Sequence, residues 1–407
     1  MGAGSSVPVK QVSVVIIGGG PAGLSAAKSL EGLKGVKKVT LLDKKDHFDP
    51  VISQPRRLVE PSFADATLVK WEDMMTPSSA EVKVVKEVEA VSPGSVKFVL
   101  ASSGESETLS ADVIVVATGS SSRSEFVKNN EGKPLETYLG FFRDFSEKLK
   151  VSKGVVVVGG NDTGVEIAGE IATDFPTTKV TLVHSRPHLL AYPEVGALAE
   201  KSMTALGVTV CLEDRLDAQD VIGGTPTTLT TQKGTVIPDV QCVINCTGVK
   251  PNSGFLPSSA LDGQGRVKVD VGTLVCEALT TPSCLTLAIG DVSDAANDGG
   301  HFVEAETMGI AAAKVIATYC LKGEVPSQPV YSRKNMLNGK TVVSIGRNDG
   351  AGNLLFTGRA IGKMKAKDMF MQKSLNSGVM KSNAPRKIAS KGPPDAKKGY
   401  KAAGCCG

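Results

Sequence analysis

Two glycine-rich stretches of the sequence carry the residues with the clearest chemistry. In the first, Gly18, Gly20 and Gly23 of GGGPAG have the spacing of the dinucleotide-binding fingerprint G-x-G-x-x-G. The first glycine permits a tight turn, the second admits a pyrophosphate to backbone N–H groups, and the third lets a helix lie close to a strand. Asp43 follows where a carboxylate can accept from ribose hydroxyls. This pattern predicts a dinucleotide site formed by Gly18, Gly19, Gly20, Pro21, Ala22, Gly23 and Asp43.

The second stretch, VVVVGGNDTGVEIAGE at 155–170, has the same pattern with one position changed. It keeps the first and last glycines, Gly159 and Gly164, but has Asn161 at the middle position. Asparagine tolerates a positive φ better than other non-glycine residues, so we expect the turn to survive. Its Cβ should crowd a pyrophosphate and weaken or shift phosphate binding. We predict a second dinucleotide site formed by Gly159, Gly160, Asn161 and Gly164; a structural remnant is the alternative.

The strand after the second loop ends in VTLVHSRP, without the acidic residue of the first unit. His184 stands in the place of the acid, and Arg186 follows two residues later. The missing carboxylate removes repulsion against a 2′-phosphate, and Arg186 can pair with one. This favours NADPH, or no strong choice between NADPH and NADH, unless Arg186 is simply a solvent-exposed loop residue.

The elements that must position these loops form a duplicated strand–turn–helix–strand unit, at 11–46 and again at 154–187. Each unit is followed by a strand that ends in a similar signature, DVIVVATGS at 112–120 and CVINCTGVKPN at 242–252. A third such ending, CLTLAIGDVSD at 284–294, leads into a helical pattern. Further on, strands are predicted with turns at Asn348-Asp349-Gly350 and Gly352-Asn353. The pattern predicts an α/β protein with two Rossmann-like domains.

Composition and charge narrow the class of protein. A chain of 407 residues with 41% hydrophobic and 4% aromatic residues is typical of a soluble α/β protein of two or three domains. No apolar run approaches the roughly 18 residues of a membrane span. Residues 381–407 carry a net charge of +6, which leaves −2 on the rest and argues against a nucleic-acid surface. The eight cysteines lack metal-ligand spacing, so no metal site is predicted.

The ordered set of motifs resembles the two-dinucleotide-binding flavoproteins, a family that includes pyridine nucleotide-disulfide reductases and type II NADH dehydrogenases. The resemblance implies FAD in the first site and NADPH or NADH as co-substrate in the second. It also implies that Gly119 and Asp291, in ATG at 117–119 and AIGD at 288–291, lie at FAD, and that Gly248 lies at the second nucleotide. The implied domains are an FAD-binding domain (11–121 and 262–325), an inserted NAD(P)H-binding domain (122–255), a small C-terminal α+β region (326–378) and a disordered basic tail (379–407).

The positions of the cysteines indicate which kind of electron acceptor the protein uses. Disulfide reductases of the family carry a C-x-x-C or C-x4-C pair, but the first cysteine here is Cys211. Without a dithiol relay, electrons must pass directly to an acceptor such as a quinone, a small oxidant or oxygen. Within the family, LLDKKDHF, SIGRNDGAG and KAKDMF resemble the ferroptosis-suppressor, or apoptosis-inducing-factor-2-like, NAD(P)H:quinone oxidoreductases. By position, this resemblance implies that Arg56 contacts FAD, Glu166 lies beside the nicotinamide, and Lys365 lies near the flavin and the acceptor. Alternatively, Glu166 is an ordinary first-turn acid and Lys365 a solvated lysine.

Both ends of the chain suggest attachment to a membrane. The start, MGAGSS, fits an N-myristoylation motif at Gly2, and the basic tail ends beside Cys405 and Cys406, which suggest palmitoylation. We therefore expect a lipid-anchored protein at the cytoplasmic face of the plasma membrane, a lipid droplet or another organelle, reducing a quinone; a homodimer stays open. Residues 361–375 could add an amphipathic surface helix or pack their Met and Phe inside. The alternatives are a reductase for a soluble acceptor, as in monodehydroascorbate or ferredoxin reductases, and a redox-regulated signalling protein like the apoptosis-inducing factors.

Overall fold

The structure, a computed structural model, describes residues 8–76, 78–128, 131–297, 301–333, 339–354, 357–376, 381–383 and 388. The predicted lipidation sites Gly2, Cys405 and Cys406 lie outside these residues. Within the described ranges, no helix has the length and apolar character needed to cross a membrane.

The described chain alternates strands and helices along most of its length. The strands are β1 (Val12–Ile17), β2 (Val36–Asp43), β3 (His47–Phe48), β4 (Val69–Lys70), β5 (Glu81–Ser92), β6 (Ser95–Leu100), β7 (Ser106–Ser110), β8 (Val113–Val116), β9 (Ser120–Ser122), β10 (Gly154–Val158), β11 (Lys179–Val183), β12 (Thr209–Cys211), β13 (Val221–Thr230), β14 (Val236–Asn245), β15 (Val249–Pro251), β16 (Leu285–Ala288), β17 (Val342–Ile345) and β18 (Asp349–Gly352). The helices are α1 (Pro21–Ser29), α2 (Gln54–Arg57), α3 (Pro61–Thr67), α4 (Trp71–Met74), α5 (Leu135–Val151), α6 (Asp162–Asp174), α7 (Pro193–Ala205), α8 (Phe302–Lys322), α9 (Ala360–Asp368) and α10 (Met371–Asn376).

The first sheet has seven strands in the order β16-β8-β1-β2-β5-β6-β7. Strands β16, β8, β1, β2 and β5 run parallel, and β5, β6 and β7 pair antiparallel. The central strands are nearly continuous runs of Val and Ile because elements cover both faces of a parallel sheet. On one face α1 packs against α8, where a Cβ on Gly309 would lie 2.4 Å from the carbonyl oxygen of Ala22.

The second sheet has five strands in the order β12-β11-β10-β14-β13, of which only β13 is antiparallel to its neighbour. All five strands fall between β8 and β16 in the sequence, so the second unit interrupts the chain of the first. The predicted α/β class with two nucleotide-binding folds is confirmed. The division at residues 121, 255, 262 and 325 stays a prediction.

The C-terminal region is a hairpin followed by two short helices. Strands β17 and β18 pair with their turn at 346–348, where Gly346 has φ +60°, slightly earlier than the predicted Asn348-Asp349-Gly350 turn. Met369, Met371 and Leu375 are fully buried, which supports internal packing of 361–375 over a surface helix. Ser382 and Ile388 lie inside the predicted disordered tail but are also buried. The apolar side chain of Ile388 packs in the same hydrophobic core as β1 and α1. The packed chain thus extends past residue 378.

Candidate functional site

A cleft of about 1560 Å³ lies between the two glycine loops and reaches the C-terminal region. The structure brings most of the predicted site residues together on its walls. They are Gly18, Gly19, Gly20, Pro21, Ala22, Asp43, Gly119, Asp291, Gly159, Gly160, Asn161, Glu166, Arg186, Gly248 and Lys365. Gly23, Gly164 and Arg56 are not among the lining residues.

The first loop follows β1 and fits a dinucleotide. Gly18 has φ +101°, a conformation that favours glycine, and a Cβ on Gly23 would lie 1.8 Å from the carbonyl oxygen of Gly18. Gly23 therefore holds α1 against the strand rather than lining the cleft. A Cβ on Gly20 would meet no atom within 4 Å, and the N-terminus of α1 has no side-chain cap. These free N–H groups beside open space suit the pyrophosphate of FAD.

Asp43 lies at the end of β2 and hydrogen-bonds the backbone of the first loop. Its carboxylate accepts from the backbone N of Gly19 at 2.5 Å and of Lys45 at 2.7 Å. Burial raises the pKa of Asp43, and the two backbone hydrogen bonds oppose this rise. The carboxylate has lone pairs left to accept from a ribose.

Asp291, which follows β16, lies in an ion pair that the sequence did not indicate. Lys128 Nζ is 2.5 Å from its carboxylate, and Ser120 Oγ donates to the same oxygen at 2.9 Å. Burial favours a raised pKa for Asp291, but the Lys128 ammonium and both hydrogen bonds outweigh it and lower the pKa. Asp291 is thus an anion held within the cleft. No motif marks Lys128, because it is far from Asp291 in the sequence.

The second loop repeats the frame of the first. Gly159 has φ +107°, and a Cβ on Gly164 would lie 1.8 Å from the carbonyl oxygen of Gly159. Asn161, however, has φ −79°, so the expectation that it must tolerate a positive φ is wrong. Instead it is the N-cap of α6: its Oδ1 accepts from Gly164 N at 3.1 Å and its Nδ2 donates to the Cys246 carbonyl at 2.7 Å.

His184 and Arg186 follow β11 at the edge of the second loop. His184 Nδ1 accepts from the backbone N of Gly160 at 3.0 Å. Arg186 is exposed and lines the cleft, where its guanidinium can reach a bound nucleotide. Burial, followed by the charges of Arg186 and His188, lowers the pKa of His184.

Glu166 on α6 and Lys365 on α9 form a buried ion pair on the wall of the cleft. Lys365 Nζ is 2.7 Å from Glu166 Oε1, and the two residues are 7% and 4% exposed. Lys365 also donates to the Val342 carbonyl at 3.1 Å, and Ser344 donates to Glu166 from its backbone N at 2.9 Å. Burial raises the pKa of Glu166, against the opposing effect of Lys365. Neither residue is an ordinary solvated side chain.

Glycine contacts bring Lys365 to Glu166. The β17–β18 hairpin lies close to α6, where a Cβ on Gly169 would be 2.8 Å from Gly346 N. Helix α9 lies equally close to the hairpin, where a Cβ on Gly362 would be 2.4 Å from Ala351 N. The spacing of SIGRNDGAG therefore permits a tight stack of α6, hairpin and α9.

A buried network of charges fixes the hairpin turn. Arg347 pairs with Glu60 and Asp174, its Nε donating to Asp174 Oδ1 at 2.9 Å, and lies 3.6 Å from Glu170. Burial opposes the charge of Arg347, but the Asp174 hydrogen bond and the surrounding carboxylates raise its pKa. Sequence reasoning missed Arg347, because its partners are distant in the chain.

Arg56 belongs to this network and not to the cleft. Its guanidinium is fully buried, lies 2.7 Å from Glu170 and donates to the Lys367 carbonyl at 3.1 Å. The geometry does not support the expected contact of Arg56 with FAD, because its guanidinium joins α2, α6 and α9 and does not line the cleft.

Thiols take little part in the site. Of the six cysteines in the described ranges, Cys246 alone lines the cleft, and it is 4% exposed. Burial raises the pKa of its thiol well above the ordinary value, so it is not a thiolate at neutral pH.

Comparisons with known proteins agree with this architecture. The family model for pyridine nucleotide-disulphide oxidoreductases matches residues 12–309. Ferroptosis suppressor protein 1 of Xenopus laevis is 30% identical over 91% of this chain and 97% of its own, and that of Homo sapiens is 28% identical over 92% and 98%. Oxidoreductase ptaL of Pestalotiopsis fici is 28% identical over 92% and 98%.

Two solved structures share the fold. NDH2 of Plasmodium falciparum superposes with a TM-score of 0.66 at 10% identity, covering 87% of this chain and 93% of that one. A reduced CoADR-RHD protein of Bacillus anthracis gives a TM-score of 0.65 at 18% identity, and this chain spans only 62% of its length against 85% of its own. The chain is therefore a member of the pyridine nucleotide-disulphide oxidoreductase family, an oxidoreductase whose cofactors are FAD and NAD(P)H.

Proposed function

We propose that this chain is an FAD-dependent NAD(P)H:quinone oxidoreductase that works at a membrane surface. The observation that carries the proposal is the buried Glu166–Lys365 pair on the wall of a cleft shared by two dinucleotide loops. A cation held in a largely buried position is suited to an acceptor whose oxygen gains charge, because electrostatic stabilisation is stronger away from water.

In this proposal each loop takes one nucleotide. The first loop, with Gly20 and Asp43, holds FAD, and Asp291 contacts the same cofactor. The second, with Asn161, Gly248 and Arg186, holds NADPH or NADH. FAD bound there would supply the chemistry of hydride acceptance from NAD(P)H and of electron transfer to the final acceptor.

Lys365 and Glu166 have different roles at the electron acceptor. Lys365 Nζ donates a hydrogen bond to one quinone oxygen and supplies one of the two protons of the quinol, the other coming with the hydride of NAD(P)H, while Glu166 is the counter-ion that orients the ammonium and water returns the proton to Lys365. Ser344 and the Val342 carbonyl fix the two groups, so the donor is oriented before the acceptor arrives.

Three observations favour a quinone over a disulfide acceptor. The first unit has no cysteine, and the one cleft-lining thiol of the described residues, Cys246, is held protonated by burial. The relatives named ferroptosis suppressor protein 1 match nearly the whole chain, in line with the resemblance of its motifs to NAD(P)H:quinone oxidoreductases. The first-loop cleft continues to Lys365 without a dithiol between them in the described residues.

Attachment to a membrane is the second half of the proposal. Myristoylation at Gly2, palmitoylation at Cys405 and Cys406, and the basic tail would hold the enzyme at a cytoplasmic membrane face. One acyl chain gives only marginal binding, so two signals at opposite ends of the chain suit stable attachment.

The reaction is tested with full-length holoenzyme, NADH or NADPH, and a soluble ubiquinone analogue. We expect steady turnover with the quinone, and a fall in kcat of about 100-fold in Lys365→Met, the scale of a lost proton donor. Lys363→Met, an exposed lysine of the same helix outside the cleft lining, is the matched control and should keep wild-type kcat. Turnover with monodehydroascorbate, a ferredoxin or a disulfide but not with the quinone would contradict the proposal. Flavin reduction without turnover on any acceptor would favour a signalling protein.

The membrane half has its own test on vesicles that contain an anionic lipid and a long-chain quinone. Gly2→Ala combined with deletion of 389–407, which keeps the buried Ile388, should abolish reduction on vesicles and leave reduction of the soluble analogue intact. Unchanged reduction on vesicles would contradict membrane attachment.

A further inference from the structure

The two glycine loops rest on different acceptors. In the first unit, Gly19 N donates to the carboxylate of Asp43 at 2.5 Å. In the second, Gly160 N donates to Nδ1 of His184 at 3.0 Å. Gly19 and Gly160 both follow the positive-φ glycine that opens the loop, so His184 occupies the structural position of Asp43. An imidazole has thus replaced a carboxylate as the support of the second loop.

The hydrogen bond fixes the protonation state of His184. A nitrogen that accepts from an amide must carry its lone pair, so the ring is neutral and its proton is on Nε2. Nε2 is buried and has no hydrogen-bond partner in the described part of the chain. Protonation of Nδ1 would replace an acceptor by a second donor that faces the Gly160 N–H. The loop would then lose its support and meet a repulsive contact.

The ring has little room to turn away. A Cβ on Gly160 would lie 2.9 Å from the His184 ring and 2.5 Å from Leu189 Cδ2, so the imidazole is packed against the loop backbone. The backbone of His184 is also held, donating to the Cys211 carbonyl at 2.8 Å and accepting from Asp214 N at 3.0 Å.

The charged and titratable groups around His184 come from three segments. They are Arg186 and His188 on its own loop, whose charges act on the ring, and Cys211 on β12 and Asp214 beyond that strand, which hydrogen-bond its backbone. Burial, followed by the charges of Arg186 and His188, lowers the pKa of His184, against a smaller opposing effect of the His188 backbone. The ring is therefore neutral at physiological pH and gains a proton only in acid.

We propose that His184 is a positioning residue that holds the second glycine loop in its nucleotide-binding form only while its imidazole is neutral. Nicotinamide nucleotide binding is then weakened on acidification, whereas FAD stays bound because a carboxyl oxygen of Asp43 can accept from Gly19 N whether or not the group is protonated. This inference rests on the proposal that the second loop holds NAD(P)H. It adds to that proposal a pH-dependent step confined to one of the two sites.

The experiment measures binding without turnover, so that the fate of the electrons does not matter. Tetrahydro-NAD, a nucleotide that cannot reduce the flavin, is titrated into the full-length holoenzyme between pH 5 and pH 8, with FAD content recorded at each pH. For the wild type we expect a constant Kd above pH 7 and a rise of about threefold to tenfold at pH 5, the effect of one hydrogen bond. FAD content should not change.

Three variants separate this role from general structural damage. His184→Asn places Oδ1 where Nδ1 stands and cannot titrate, so it should bind like the wild type at pH 7 and show no rise in acid. His184→Leu, which has no acceptor, should bind weakly at every pH. His188→Asn, a histidine of the same loop outside the cleft lining, should keep the rise in Kd in acid, moved to higher pH because His188 no longer lowers the pKa of His184.

Each of the remaining outcomes counts against the inference. A flat wild-type Kd from pH 5 to pH 8, or a pH dependence retained in His184→Asn, would overturn it while leaving the proposed function standing. An absence of saturable binding by the wild type at pH 7 would instead contradict the assignment of the second loop to NAD(P)H, and this inference with it.

Discussion

The two nucleotide units share a frame and differ at the positions that meet a ligand. Both loops open with a positive-φ glycine, Gly18 or Gly159, and both close with a glycine whose Cβ would lie 1.8 Å from a carbonyl oxygen. Between these two glycines, Gly20 leaves open space in the first loop, whereas the side chain of Asn161 caps α6 in the second. The frame therefore sets the fold of each unit, and we propose that the intervening residues set how tightly a nucleotide is held.

The units also differ in what their helices touch. Helix α1 packs on α8, within its own domain, whereas α6 packs on the C-terminal hairpin through Gly169 and carries Glu166 to Lys365. The first unit is completed by α8, which follows β16, a strand of its own sheet. The second is joined to a region more than 150 residues later in the sequence, which suits a site where a co-substrate exchanges while the resident cofactor stays.

The largest effects are expected at the glycines that close the two loops. Gly23→Ala and Gly164→Ala each place a Cβ against backbone that cannot move aside, so each should abolish binding at its own loop. Gly23→Ala should purify without FAD; Gly164→Ala should keep FAD but show no saturation with NADH. Flavin absorbance and an NADH titration distinguish the two.

Gly20→Ala is the control for that pair, because its Cβ meets no atom within 4 Å. It should lose FAD affinity only, and its apoprotein should unfold at the same temperature as the wild-type apoprotein. Loss of FAD from Gly164→Ala, or retention by Gly23→Ala, would contradict the assignment of one cofactor to each loop.

The charge network at the hairpin should give the next largest effect. Arg347→Ala leaves the buried carboxylates of Glu60, Glu170 and Asp174 with one cation fewer and should cost about 3–5 kcal/mol of unfolding free energy. Urea denaturation measures this cost. Exposed Arg359→Ala, which breaks only the partly exposed pair with Asp349, is the matched control and should cost about 1 kcal/mol or less. Equal costs for the two variants would show that the buried network does not hold the hairpin.

A smaller effect is expected at Glu166. Glu166→Gln keeps the shape of the side chain but removes the counter-ion of Lys365, and kcat with quinone should fall about tenfold, corresponding to about 1.4 kcal/mol. Burial raises the pKa of Glu166, so as the pH falls through that pKa the wild-type carboxylate is protonated and kcat should decline. The Gln variant should lack this decline; a decline of the same shape in both would assign it to another group.

The smallest effect is expected at Asn161. Asn161→Gly removes a Cβ from the cleft and should lower the KM for NADH about twofold to threefold. The lost cap should reduce stability by only a few tenths of a kcal/mol, because glycine is itself an acceptable N-cap. Michaelis constants and thermal unfolding test the two parts, and an unchanged or higher KM would contradict this account of Asn161.

The sequence predicts well whatever is local. The glycine loops, their strands and the acid or histidine that follows are set by spacing within about 30 residues, and the structure places nearly all of them on one cleft. Arg347 and Lys128 were not predicted, and the ion pair of Arg56 with Glu170 was not predicted either, because burial and partners far along the chain decide what each contacts. The place of Lys365 in the site was predicted only from the family resemblance, since no local pattern links α9 to Glu166.

The most direct test of the account follows the flavin itself. Full-length enzyme with its thiols alkylated is reduced by NADH without oxygen, and a soluble ubiquinone analogue is then added while flavin absorbance is recorded. We predict that NADH bleaches the flavin within seconds and that the quinone restores the absorbance at the rate of unalkylated enzyme. A flavin that NADH does not bleach, or that the quinone re-oxidises only when thiols are free, would contradict direct electron transfer from two nucleotide sites to a quinone.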